Sequence, residues 1–228
     1  YIVAYGMVGT SISGVTFISV PGNVLNQNFY YMPLVLGFVV GYIVIAKILI
    51  PLYYKMNLTS IYGYLEHRFG FYTYKTGASV FMVSRVLGAA VRIFVVVLVL
   101  HTFLPEGSVP FWVVSFVFMF LIFLYTFKGG VKTIIWTDVL QTTFMLLAVF
   151  LTIFFVAKEM NWGVGGLISA VADTEYSKWI DLDWGHSTNA IKQFIAGMFI
   201  TIAMTGLDQE MMQKNLSCKN IKEAQKNI

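Results

Sequence analysis

Six apolar stretches dominate the chain, at residues 1–20, 31–50, 78–104, 109–127, 134–157 and 190–206. A bilayer crossing takes about 20 apolar residues, and backbone in lipid must satisfy its own hydrogen bonds. Runs of this length therefore predict membrane-spanning helices. Composition agrees, since 58% of the 228 residues are hydrophobic and 11% charged, against about 25% charged in a soluble domain. The expected class is an all-α membrane protein. Helix-breaking residues separate the stretches. Pro21-Gly22-Asn23 is expected to end the first and Pro51 the second. Pro105-Glu106-Gly107 divides the third from the fourth, and Lys128-Gly129-Gly130 the fourth from the fifth. The chain opens inside an apolar run and ends in a polar one, which reads as a piece of a longer protein.

The basic residues report orientation. Lys47, Lys55, Arg68 and Lys75 flank one connection, Lys128 and Lys132 lie in another, and Lys214, Lys219, Lys222 and Lys226 follow the sixth stretch. These three regions alternate so as to share a side, which the positive-inside rule makes the cytoplasm. The connection at 158–189 carries Glu159, Asp173, Glu175, Asp181 and Asp183 and falls outside. Its Trp162, Trp179 and Trp184 suit the interface, and residues 164–171 suit a short surface helix. The net charge of +4 therefore describes topology and offers no basic face to a nucleic acid. The single cysteine, Cys218, has no disulfide partner, and His67, His101 and His186 fall in different regions. No constellation for metal binding or intramembrane catalysis stands out, so no enzyme is expected.

The first stretch is unusual. Gly9, Thr10, Ser11, Ser13, Gly14 and Thr16 crowd its middle. Glycine weakens a helix, and hydroxyls compete for its backbone hydrogen bonds. One reading is a helix that breaks and turns oxygens toward a solute or ion. The other is close packing through small residues. Asp138 lies just inside the fifth stretch, where a carboxylate needs water or a cation. It suits an ion path, or an interfacial pair with Lys132. Arg92 sits deep in the third stretch and needs a partner, either an anionic solute or a structural carboxylate.

Four motifs carry a resemblance. They are Gly14-Val15-Thr16-Phe17-Ile18-Ser19-Val20-Pro21-Gly22, then Tyr64-Leu65-Glu66-His67-Arg68-Phe69, then the run from Gly129-Gly130 to Trp136-Thr137-Asp138 and Gln141, and finally Gln209 to Lys226 with Glu223-Ala224-Gln225-Lys226. In this order and spacing the chain resembles the sodium:solute symporter family. The resemblance implies a leucine-transporter-type fold, here the first five-helix repeat plus the first helix of the inverted second repeat. It implies a sodium-coupled symporter that imports a small polar organic solute, a carboxylate such as sialic acid being one candidate. A neutral sugar or a non-transporting sensor with the same fold is the alternative.

By the same resemblance sodium is the coupling ion and no cofactor is needed. Backbone carbonyls of Gly9 and Ile12 would take sodium, with Asp138 on its route. Thr10, Ser11, Ser13, Thr16, Arg92, Thr201 and Met204 would face the solute. Thr16, Thr201 and Met204, with Val35, stand where sugar-carrying relatives have other polar residues, which counts against a simple hexose. The implied partners are the solute, the lipid bilayer and the remainder of the same polypeptide. The implied location is the plasma membrane, as a multi-pass protein of a bacterial inner membrane.

Overall fold

The computed structural model describes residues 2–105 and 109–228, so the break read at Pro105-Glu106-Gly107 lies partly outside the described residues. The described chain is all helical. In order the helices are α1 (Ile2–Ser11), α2 (Gly14–Gln27), α3 (Met32–Val44), α4 (Ile50–Lys55), α5 (Ile61–Phe69), α6 (Phe71–Thr102), α7 (Phe111–Glu159), α8 (Val164–Ala172), α9 (Ala190–Thr201), α10 (Gln209–Leu216) and α11 (Ile221–Asn227). Two π-helical turns, Ile45–Leu49 and Ile202–Gly206, join α3 to α4 and extend α9. Among the described residues, Met32–Lys55, Phe71–Thr102 and Thr133–Glu159 are long and apolar enough to cross a membrane. Ala190–Gly206 with Gln209–Leu216 forms a fourth candidate, bent by 65° at its break.

The chain divides into two compact units, residues 1–59 with 135–228, and residues 60–134. In the first, α3 packs along α9 through glycines. A methyl group on Gly37 would lie 2.1 Å from the Phe194 carbonyl oxygen, and one on Gly197 would lie 2.1 Å from that of Leu34. Small residues let two apolar helices approach to backbone distance, where dispersion replaces the missing side chains. The two π turns touch, and the core continues through Ile45, Ile50, Tyr53, Met211 and Met212, all buried. On α7 the large apolar side chains Phe144, Phe150 and Phe154 are exposed, as suits a helix solvated by lipid. In the second unit α5 lies on α6, with Tyr62 against Phe81 at a ring separation of 5.5 Å. Arg85 stands over Phe81 at 5.1 Å.

Several expected breaks are corrected. Pro21 does not end the first segment, because α2 runs through it to Gln27. A proline removes one ladder bond, and the rest of the helix survives it. The turn comes at Asn28, whose positive φ of 51° and N–H to the Val24 oxygen close the helix. Pro51 likewise does not end the second segment, because helical backbone runs on through the π turn Ile45–Leu49 into α4. Helical backbone also passes through residues 128–130 within α7. The polar tail after the sixth stretch forms two helices, α10 and α11, with Asn220 capping the second through the Glu223 N–H at 2.9 Å.

Candidate functional site

The first segment is broken in its middle. The helical ladder stops at Ser11, resumes at Gly14, and leaves Ile12 and Ser13 between. The Ser13 hydroxyl oxygen accepts the Thr16 N–H at 3.2 Å and meets the Thr16 hydroxyl at 3.0 Å. A serine in extended conformation that accepts from the third residue on is an N-cap, so local chemistry starts a new helix here. On the other side of the break, Ser11 and Thr10 donate back to the Met7 and Gly6 carbonyls at 2.9 and 3.2 Å. The second break is built the same way. After the π turn Ile202–Gly206, the Asp208 carboxylate accepts the Met211 N–H at 3.1 Å and opens α10.

These two breaks bring α1 and α10 onto the start of the Thr133–Glu159 segment of α7. Gly9 makes the approach possible, since a methyl group there would lie 2.2 Å from Thr142 Oγ1 and 2.9 Å from the Asp138 carbonyl oxygen. The Gln141 amide donates to the Gly9 carbonyl at 2.8 Å. Thr142, almost fully buried, donates to the Tyr5 carbonyl at 3.1 Å and to that of Asp138 at 2.8 Å.

At the centre stands an ion pair. Lys214 on α10 places Nζ 2.7 Å from Asp138 Oδ2 and 2.9 Å from Thr10 Oγ1, with Glu210 Oε1 at 3.3 Å. The Thr10 hydroxyl lies 3.1 Å from the same Asp138 oxygen. Lys214 is 5% exposed at its side chain and Asp138 14%. Burying two charges succeeds only when they are paired and their remaining hydrogen bonds are made, and this cluster does both. Around it α11 and α4 close the contact. Asn227 donates to Asn215 Oδ1 at 3.0 Å, Gln225 to the Ala46 carbonyl at 2.8 Å, and Tyr54 to that of Cys218 at 2.9 Å.

The structure thus gathers Gly9, Thr10 and Asp138 into one cluster, and places Ser11, Ile12, Ser13 and Thr16 at the adjacent break. Thr201 is buried beside Gly41, and Met204 is exposed in the second π turn. Arg92 lies exposed on α6 in the other unit. The residue that sequence reasoning passed over is Lys214, read only as one basic residue of a polar tail. Its spacing of four from Glu210 was the available signal, but nothing local points it at Asp138. The Lys132 side chain, the other cation that the sequence offers to Asp138, lies outside the described residues.

Among characterised proteins, the sodium/sialic acid symporter NanT of Aliivibrio fischeri is 26% identical over 97% of this chain and 44% of its own length. The sodium-coupled monocarboxylate transporter 1 of Xenopus laevis is 24% identical over 95% of this chain and 35% of its own. The sodium-dependent multivitamin transporter of Oryctolagus cuniculus is 27% identical over 97% and 35%. The chain therefore spans less than half the length of these relatives. No solved structure matches it significantly. The sodium:solute symporter family model matches residues 1–228, and its apolar helices fit a membrane protein. The chain belongs to the sodium:solute symporter family.

Proposed function

We propose that this chain forms part of a sodium-coupled symporter for a small polar organic solute. The observation that carries the reading is the interruption of the first segment at Ile12 and Ser13, beside a half-buried carboxylate. Unwound backbone within an apolar segment is tolerated where it lines a cavity or binds an ion. Sodium, as transported substrate, would take the carbonyls of Gly9 and Ile12 and pass Asp138. The Gly9 carbonyl already accepts from Gln141, but it has a second lone pair. Thr10, Ser11, Ser13 and Thr16 flank the break and would offer the solute donors and acceptors, with Thr201 and Met204 on the second broken segment. The expected setting is a plasma membrane, the inner membrane in a bacterium, with the remaining helices of the polypeptide completing the path.

The solute we infer is a carboxylate. Relatives named for sialic acid and monocarboxylates favour this class. Arg92 is the guanidinium assigned to it, because the planar fork of arginine matches a carboxylate. Uptake by the full-length protein in proteoliposomes tests both claims, with sialic acid, short monocarboxylates and a neutral sugar compared with and without a sodium gradient. A carboxylate driven by sodium is expected, with affinity falling at least about tenfold in Arg92→Lys, or about 1.4 kcal/mol. Sodium-independent uptake would sink the coupling. Uptake of the sugar, with affinity untouched by Arg92→Lys, would sink the carboxylate.

A further inference from the structure

From the geometry at Asp138 we infer that Lys214 is a tethered cation that holds sodium's place, and that sodium must displace it to reach the carboxylate. The inference rests on the symport reading and names a residue that sets its ion dependence. An ammonium has three N–H donors, and all three of Lys214's find oxygens, on Asp138, Thr10 and Glu210. Two carboxylate oxygens and a hydroxyl form the sort of oxygen set that a hard cation seeks. Lysine and sodium would therefore compete for the same atoms and carry the same charge. The stem of Lys214 is held by its surroundings, with Met212 and Asn215 fully buried on the same helix.

The consequence is mechanical as well as electrostatic. Three elements meet on one oxygen. Asp138 belongs to α7, Thr10 to the half-helix before the first break, and Lys214 to the half-helix after the second. While the ammonium stays, α1 is pinned to α7 beside its break and α10 through its last turn. Sodium at Asp138 would replace the charge without the tether. Ion arrival would thereby free α10 from α1, which couples cation binding to a change in the broken helices. Lys214 acts here as a positioning residue, since it touches the ion's ligand and not the solute.

The test uses the purified full-length protein, with melting temperature followed against sodium chloride and choline chloride as control. Lys214→Met keeps the apolar stem and removes the ammonium. The sodium concentration giving half of the stabilisation should fall about tenfold, the factor expected for losing a competitor worth about 1.4 kcal/mol. Half-saturation that stays put or rises in Lys214→Met would overturn the inference. If that variant is too unstable in choline to purify, sodium should rescue it, and equal instability in both salts would equally overturn it. Failure of the two readings is distinguishable. Absence of sodium-driven uptake by the unaltered protein sinks symport, whereas a sodium response indifferent to Lys214→Met sinks the tethered cation.

Discussion

Lys214 and Asp138 meet at 2.7 Å, and His186 and Asp181 at 2.9 Å. The first pair is enclosed, while His186 is 62% exposed at its side chain. The first joins residues 76 apart in sequence, and the second closes a turn of five. In the loop between α8 and α9 Asp181 also accepts the Thr188 hydroxyl at 2.7 Å and the Asp183 N–H at 3.0 Å. That network would form almost as well in an isolated loop, and water screens it. The Asp138 cluster exists only when three helices are packed, and little solvent reaches Lys214 to relieve its charge if Asp138 is lost. Distance alone therefore says little about what a charge pair contributes; burial and loop length decide it.

The largest effect should come from unpairing the enclosed site. Lys214→Met by itself is expected to destabilise the full-length protein by about 3–5 kcal/mol, and adding Asp138→Asn should recover most of that. Thermal unfolding in detergent reads both. A single-variant loss within the ~0.5 kcal/mol typical of surface exchanges would break the contrast.

Next in size is the packing that encloses the cluster. Gly9→Ala pushes a methyl group onto Thr142 and the Asp138 backbone, for about 1–3 kcal/mol. Gly14→Ala meets open space within 4 Å and should be neutral or slightly stabilising. Equal losses at both positions would show that helix weakening, not the close approach, explains these glycines. Ser13→Ala removes the cap at the break and should cost about 1 kcal/mol, with circular dichroism showing fraying of α2 and no loss of the Asp138 cluster.

The smallest effect belongs to the exposed pair, and its sign depends on pH. Asp181, and Asp183 beside it, raise the pKa of His186 above its ordinary 6.5, chiefly because the Asp181 carboxylate accepts the hydrogen bond from His186 Nδ1. Its contribution is thus complete below that value and fades as pH rises through the raised one. The Asp181 carboxyl is held below its ordinary 3.8, first by the Thr188 hydroxyl and then by the Asp183 N–H. Its contribution is present above that value and fades as pH falls through the lowered one. The difference in melting temperature between the protein and its His186→Ala variant should shrink as pH rises from below 6.5 through the raised value. A difference that grows with pH would reverse the assignment.

Much of this was legible in the residues. Apolar runs of membrane length, the cluster of glycine, serine and threonine between Gly9 and Thr16, and an acid placed at the start of an apolar segment all act within a few residues of themselves. Pro21 and Pro51 misled for an instructive reason. A proline forbids one hydrogen bond, but neighbouring turns decide whether the helix tolerates the loss, and here Asn28 and a π turn decided it. The candidate site was half legible. Asp138 announced that a buried carboxylate needs a cation, but a sequence does not say which of several lysines will reach it.

By itself, then, the sequence determined the helical class and the crowding of helix-weakening residues between Gly9 and Thr16, because caps and hydroxyl back-bonds reach only three or four residues along the chain. Tertiary structure alone decided that Lys214 answers Asp138 and that another of its three donor bonds goes to Thr10, 204 residues away. It also decided that Gly9 is needed at the crossing rather than in the break. Local preference is read from neighbours in sequence. The pairing of buried charges is fixed only when packed helices exclude water and leave one geometry in which the Lys214 ammonium finds its three oxygens.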